Sequence, residues 1–287
     1  MPDSQKADAK RPTRRALRRF IRHPSAIVGS VIILLVIFST TFAPLLTPHG
    51  LEARNVRNRF APPNATNLLG TDNFGRDTLT RILYGGRVSL RVALFSVGIA
   101  ATVGVLLGAL AGFIGGMLDT VIMRIVDVFQ AFPPILLALL LVAAVGMGER
   151  SVIVALGLIY WTSYARVVRA NIVSLREEEF VDANRALGAK WYRTLFRHVI
   201  PNTLAPIIVV ASVGLGSAVT AEAALSFLGL GIQPPTPSWG AILNTGLQFI
   251  RETPYLSSFP GMAIMITVLG FNLLGDGLRD VLDPREA

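Results

Sequence analysis

Residues 176–202 read REEEFVDANRALGAKWYRTLFRHVIPN, a strongly polar stretch set between two long apolar runs. Phe180, Ala183 and Leu187 recur at helical spacing, with Asp182, Asn184 and Arg185 off that face, so the spacing predicts a short amphipathic helix. Gly188 falls where a helix C-cap belongs, because glycine enters left-handed backbone freely. A second helical segment over Lys190–Val199 comes next and is expected to stop at Pro201. Two short helices hinged at a glycine and tethered at both ends to apolar runs make a compact knob. Its partly apolar face is expected to dock onto another surface.

Outward from the knob the chain is dominated by hydrocarbon. It has 287 residues, 52% of them hydrophobic and only 16% charged, with mean hydropathy +0.55. A soluble domain carries about 25% charged residues, so the composition predicts a multi-spanning membrane protein. Apolar segments run over 26–43, 88–114, 118–145, 152–168, 202–228 and 259–274, which makes six expected spans in an all-α integral membrane fold. The first is longer than the apolar stretch of a cleaved signal peptide, so it is read as a retained helix. Gly104, Gly108 and Gly112 repeat every four residues, a small-residue seam that lets a neighbouring helix approach closely. Pro133-Pro134 is expected to kink the third span, and an interfacial helix followed by the span proper is one form that kink can take. Arg124 with Asp127 has the spacing of an intrahelical pair. Glu222 is a single acid within the fifth run, and such a group is a candidate for gating or the substrate path as well as for a structural hydrogen bond.

Net charge is +9, but the basic residues flank apolar runs and form no single basic face with interleaved aromatics, so the charge speaks for orientation in a membrane and against nucleic acid. Residues 14–22 alternate arginines with Leu17, Phe20 and Ile21, the pattern of a short helix lying on an anionic leaflet. With the amino terminus inside, 18 Lys/Arg fall on the inner side and nine on the outer, a positive-inside bias that places both termini and the knob in the cytoplasm. The organisation expected is a basic tail over 1–24, the first span with an outer loop over 25–87, a five-helix core over 88–280 containing the loop 170–201, and a tail over 281–287.

The chain contains no cysteine and three scattered histidines, which excludes thiolate chemistry and offers no metal cluster. There is no Gly-Lys-Ser/Thr, zincin or nucleophile-elbow motif, and Asp72 and Asp77 with their glycines lack the Lys-Ser/Thr of a phosphate loop, so no catalytic residue is expected. An ion-driven transporter would want paired intramembrane charges, and only Glu222 is available. An intramembrane enzyme would want paired acids or histidine ligands facing a cavity.

Three stretches carry a resemblance. Asp182-Ala183-Asn184, then Gly188, then Ile200-Pro201 resembles the EAA loop of ABC importer permeases, with Asp in place of Glu and Asn in place of the second Ala. Residues 68–77, LLGTDNFGRD, resemble a stretch found in the second membrane subunit of dipeptide, oligopeptide and nickel importers, and residues 221–240 resemble the same subfamily. The resemblance implies the transmembrane domain of a type I ABC importer and a non-catalytic peptide permease working by alternating access, with nickel or another solute as the alternative cargo. It implies as partners a homologous second permease, two ATPase subunits that hold the ATP and magnesium, and an extracytoplasmic solute-binding protein. It implies no cofactor in this chain. Phe180, Asp182, Ala183, Asn184, Ala186, Leu187, Gly188 and Pro201 would form the ATPase-coupling site.

Overall fold

The computed structural model describes residues 19–282. Most of the basic amphipathic segment expected over 14–22, and the end of the carboxyl tail, lie outside the described residues. Among the described residues the secondary structure is helical throughout, with one isolated β-bridge between Thr71 and Asp77. The principal helices are α1 (Pro24–Thr41), α2 (Thr78–Ile114), α3 (Gly116–Gln130), α4 (Pro134–Val145), α5 (Glu149–Arg176), α6 (Glu179–Ala186), α7 (Leu204–Phe227), α8 (Trp239–Gln248) and α9 (Tyr255–Leu282). Five of them are long and apolar enough to cross a membrane, and α3 with α4 makes a sixth if that bent pair is one span.

The second span begins ten residues earlier than its hydropathy predicts. α2 is a 37-residue helix, and its start is fixed by the Asp77 carboxylate, which accepts from the Thr80 backbone N–H at 2.8 Å and the Thr80 hydroxyl at 2.7 Å. The loop expected to run to residue 87 therefore ends at Asp77, and Arg81 and Arg87 belong to the helix. Arg87 then reaches back to the open end of α1, donating from Nε to the Thr40 carbonyl at 2.6 Å and from a guanidinium nitrogen to the Thr41 carbonyl. Those carbonyls lie in the last turn of α1, so the arginine closes the first span and ties it to the second.

The double proline breaks the third segment outright. α3 and α4 meet at 90°, with Pro133 and Pro134 opening the second helix, where a missing N–H is harmless. Arg124 does not pair with Asp127 as its spacing had suggested. Asp127 instead accepts from Arg166 at 2.8 Å, and Asp119 takes a two-pronged contact from Arg169 at 2.7 and 2.6 Å. The α5 helix lies alongside and presents planar guanidinium forks that a neighbour on the same helix cannot offer at that angle.

The core is built on α2 against α5. A Cβ on Gly104 would sit 2.5 Å from the Trp161 carbonyl, and one on Gly112 would sit 2.9 Å from that of Arg169. Gly108 abuts the backbone of Ala165 between them. The seam read from the sequence is thus the line where two helix backbones touch. α7 and α9 pack side by side and against this pair, and α1 lies along α9.

Candidate functional site

The knob is two helical pieces with a defined joint. α6 ends at Ala186, and Gly188 takes φ +74°. The Ala189 N–H bonds back to the Asn184 carbonyl at 3.0 Å and the Gly188 N–H to that of Arg185 at 2.9 Å. This pair of bonds is a Schellman cap, which requires left-handed backbone at Gly188. The second piece runs from Trp191 through a π turn at Leu195–Val199 to Asn202. Pro201, the expected stop, sits within its last turn. Asn202 and Thr203 side chains bond the His198 and Ile200 carbonyls there at 2.7 and 2.8 Å.

The expected apolar face of α6 divides. Phe180 is half-buried and packs inward, whereas Ala183 and Leu187 stay exposed, Leu187 at 85%. The inward anchor is Val181, one residue off the expected face and fully buried. With Leu195 and Val199 it joins Ala109 and Phe113 of α2 and Val168 and Ile172 of α5 in one cluster. The knob is therefore locked to the carboxyl-terminal halves of the two helices joined by the glycine seam. Val181 escaped the sequence reading because one inward residue in two helical turns makes no period.

Ala186, Leu187, Trp191, Tyr192 and Phe196 are all exposed. Trp191 meets Tyr192 edge-on with centroids 6.0 Å apart. Asp182 pairs with Arg185 at 3.2 Å on the surface, and Asn184 bonds back to the Phe180 carbonyl at 2.9 Å. Exposed aromatic and aliphatic side chains among charged ones are the composition of a protein-binding surface.

Glu222 lies elsewhere and is completely buried. Its carboxylate accepts from the hydroxyls of Ser89 on α2 and Ser226 on α7, each at 2.7 Å. Ser89 in turn accepts from the Trp239 backbone N–H and Ser226 from that of Ile232, at 3.3 and 3.0 Å. The Trp239 indole donates to the Ile82 carbonyl at 2.9 Å. The acid is the hub that fixes the loop before α8 onto α2 and α7. No spacing along the chain reveals that arrangement.

The stretch 68–77, to which the sequence assigned no task, is a clasp. Asp72 accepts from the backbone N–H groups of Phe74 and Arg76 and from the Arg76 side chain at 2.7 Å. Asp77, besides capping α2, accepts from Asn67 at 2.9 Å. Tyr255 at the start of α9 donates to the Ala61 carbonyl at 2.9 Å, joining the clasp to the last span. The Asp-x-x-Thr cap was the readable signal here.

Taken together, the fold is that of a polytopic helical membrane protein with one structured loop that has a buried side and an exposed, partly apolar side. Residues 104–287 match the family described as the binding-protein-dependent transport system inner membrane component, and residues 11–63 match the N-terminal transmembrane domain of oligopeptide transport permease C. The chain belongs to that inner membrane component family, the non-catalytic permease subunits of ABC importers. It is 46% identical over 284 residues to the dipeptide transport system permease protein DppC of Alkalihalophilus pseudofirmus, covering 99% of this chain and 93% of that one. It is 41% identical over 286 residues to the glutathione transport system permease protein GsiD of Pectobacterium atrosepticum, covering 99% and 95%. Identity to the oligopeptide transport system permease protein OppC of Bacillus subtilis is 37% over 270 residues, covering 94% and 88%. The family sits in the inner membrane as a multi-pass protein and works with ATPase and substrate-binding partners.

Proposed function

We propose that this chain imports short peptides as one half of a permease pair, driven by ATP hydrolysed on two partner ATPases. The observation that carries the reading is the knob: one side is buried by Val181, Leu195 and Val199, and the other exposes Leu187 and Trp191. A surface held so firmly to the inner ends of α2 and α5 transmits a push from a docked protein as rigid-body motion. Closure of the ATPases would swing the knob and rock the spans between inward- and outward-open states. The relatives named for dipeptides, oligopeptides and glutathione support a short peptide as cargo. In this arrangement both termini are cytoplasmic, ATP and magnesium stay on the partners, and an external binding protein delivers the peptide. Glu222, completely buried and tied up by two serines, serves as a structural clamp and not as an ion-coupling site.

The test is reconstitution of this chain with its second permease, ATPases and binding protein in proteoliposomes. ATP-dependent accumulation of labelled di- or tripeptides is expected. Accumulation that ignores ATP and tracks an imposed ion gradient would overturn the reading.

A further inference from the structure

α4, α5, α7 and α9 line an open cavity of about 500 Å³. Its polar lining comes from Tyr160, Ser217, Thr220 and Asn272, its walls are otherwise almost entirely apolar, and no charged side chain or histidine lines it. Glu222, next to Ala221 on the wall, turns the other way. Ser217 and Thr220 are exposed and bond back to carbonyls of their own helix, Val213 at 3.2 Å and Gly216 at 3.0 Å. Asn272 is exposed too, and its amide has no hydrogen-bond partner among the described residues. Its oxygen lies against α7 at Gly216.

Depth makes this arrangement informative. Ser217 sits near the middle of α7, and Asn272 lies against Gly216, twelve residues from the start of that helix. At about 1.5 Å per residue that is roughly half the apolar thickness of a bilayer. A carboxamide with no partner does not face lipid at that depth, because hydrocarbon offers its donors and acceptors nothing. The face is therefore wet or occupied.

We propose that the lane of Ser217, Thr220, Asn272 and Tyr160 is this chain's share of the translocation path, and that Asn272 hydrogen-bonds the main chain of the passing peptide. The inference rests on the functional reading of the chain as a peptide permease. An amide matches a peptide group donor for acceptor, and the hydroxyls offer further partners. Uncharged, apolar walls give no preference among side-chain charges. Such a lane selects for backbone and tolerates sequence.

The cysteine-free chain allows a direct test in the complete transporter. Single cysteines at Ser217, Thr220 and Asn272 are compared with Leu34→Cys on the exposed face of α1, using a charged methanethiosulfonate reagent. Because the thiolate forms only where water reaches, the lane positions are expected to react on the order of tenfold faster than Leu34→Cys. Vanadate trapping should change those rates. Asn272→Ala should lower kcat/KM for peptide uptake about two- to tenfold with Asn272→Gln recovering most of it, the effect of one hydrogen bond. A thiol at 272 that reacts no faster than the one at 34 in any nucleotide state overturns the proposal, as does an Asn272→Ala transporter with wild-type uptake. Wild-type vesicles that import no peptide would overturn the functional reading and the occupant with it, while the thiol rates by themselves decide whether the lane is wet.

Discussion

Replacing Gly188 by valine perturbs a single backbone torsion and little else. The residue holds φ +74°, and an added Cβ would meet nothing within 4 Å, so there is no clash to relieve. The whole effect comes from left-handed backbone, which costs a residue with a Cβ about 1–2 kcal/mol and a β-branched one the most. That is about a five- to thirtyfold loss in the population holding the Schellman bonds. A six-span bundle tolerates this, so membrane abundance should match wild type. The angle between α6 and the Trp191 segment would no longer be fixed, and Leu187 and Trp191 would not meet a preformed groove together. The assay is the ATPase-to-permease ratio after purification, with ATP-driven peptide uptake normalised to abundance, across Gly188→Asn, Gly188→Ala and Gly188→Val. Asparagine tolerates the left-handed region, so the loss should grow in that order. Wild-type retention and uptake in Gly188→Val would refute the reasoning. So would an asparagine variant as impaired as the valine one, since side-chain contact and not backbone angle would then be at issue.

Gly108→Val drives a branched side chain into the backbone of Ala165, so α2 and α5 must separate; a lower midpoint in thermal aggregation, together with lost transport, is expected. Glu222→Gln keeps the shape of the clamp but leaves one serine hydroxyl without an acceptor, so stability should fall by about 1 kcal/mol with transport retained, while Glu222→Leu strands both serines and should cost about 2–4 kcal/mol and assembly. Asp77→Ala removes the cap of α2 and the Asn67 contact, and a loss of about 1–2 kcal/mol is expected by denaturant titration, with ATPase retention unchanged because the clasp lies at the opposite end of the helix from the knob.

What the sequence disclosed was whatever local pattern encodes. The glycine seam and the Gly188 cap each come from one residue type at one spacing, and both were readable. The start of α2 was missed because Arg81 and Arg87 end the hydropathic run, although Asp77 already marked the cap. The 90° turn between α3 and α4 was legible as a break and not as an angle, since prolines interrupt a helix without aiming its successor. Partners across the fold stayed hidden: Ser89 lies 133 residues from Glu222, and Asp119 chooses Arg169 fifty residues on. Val181 was lost between two better-patterned neighbours.

The most direct test of the account is cross-linking from Leu187→Cys, the most exposed apolar position of the knob. In membranes holding the assembled transporter, this thiol should join a cysteine placed along a groove of the partner ATPase. The yield should change with ATP, and the adduct should block peptide uptake until a reductant releases it. No ATPase adduct, together with labelling of Leu187→Cys by an impermeant reagent from outside the cell, would contradict the account.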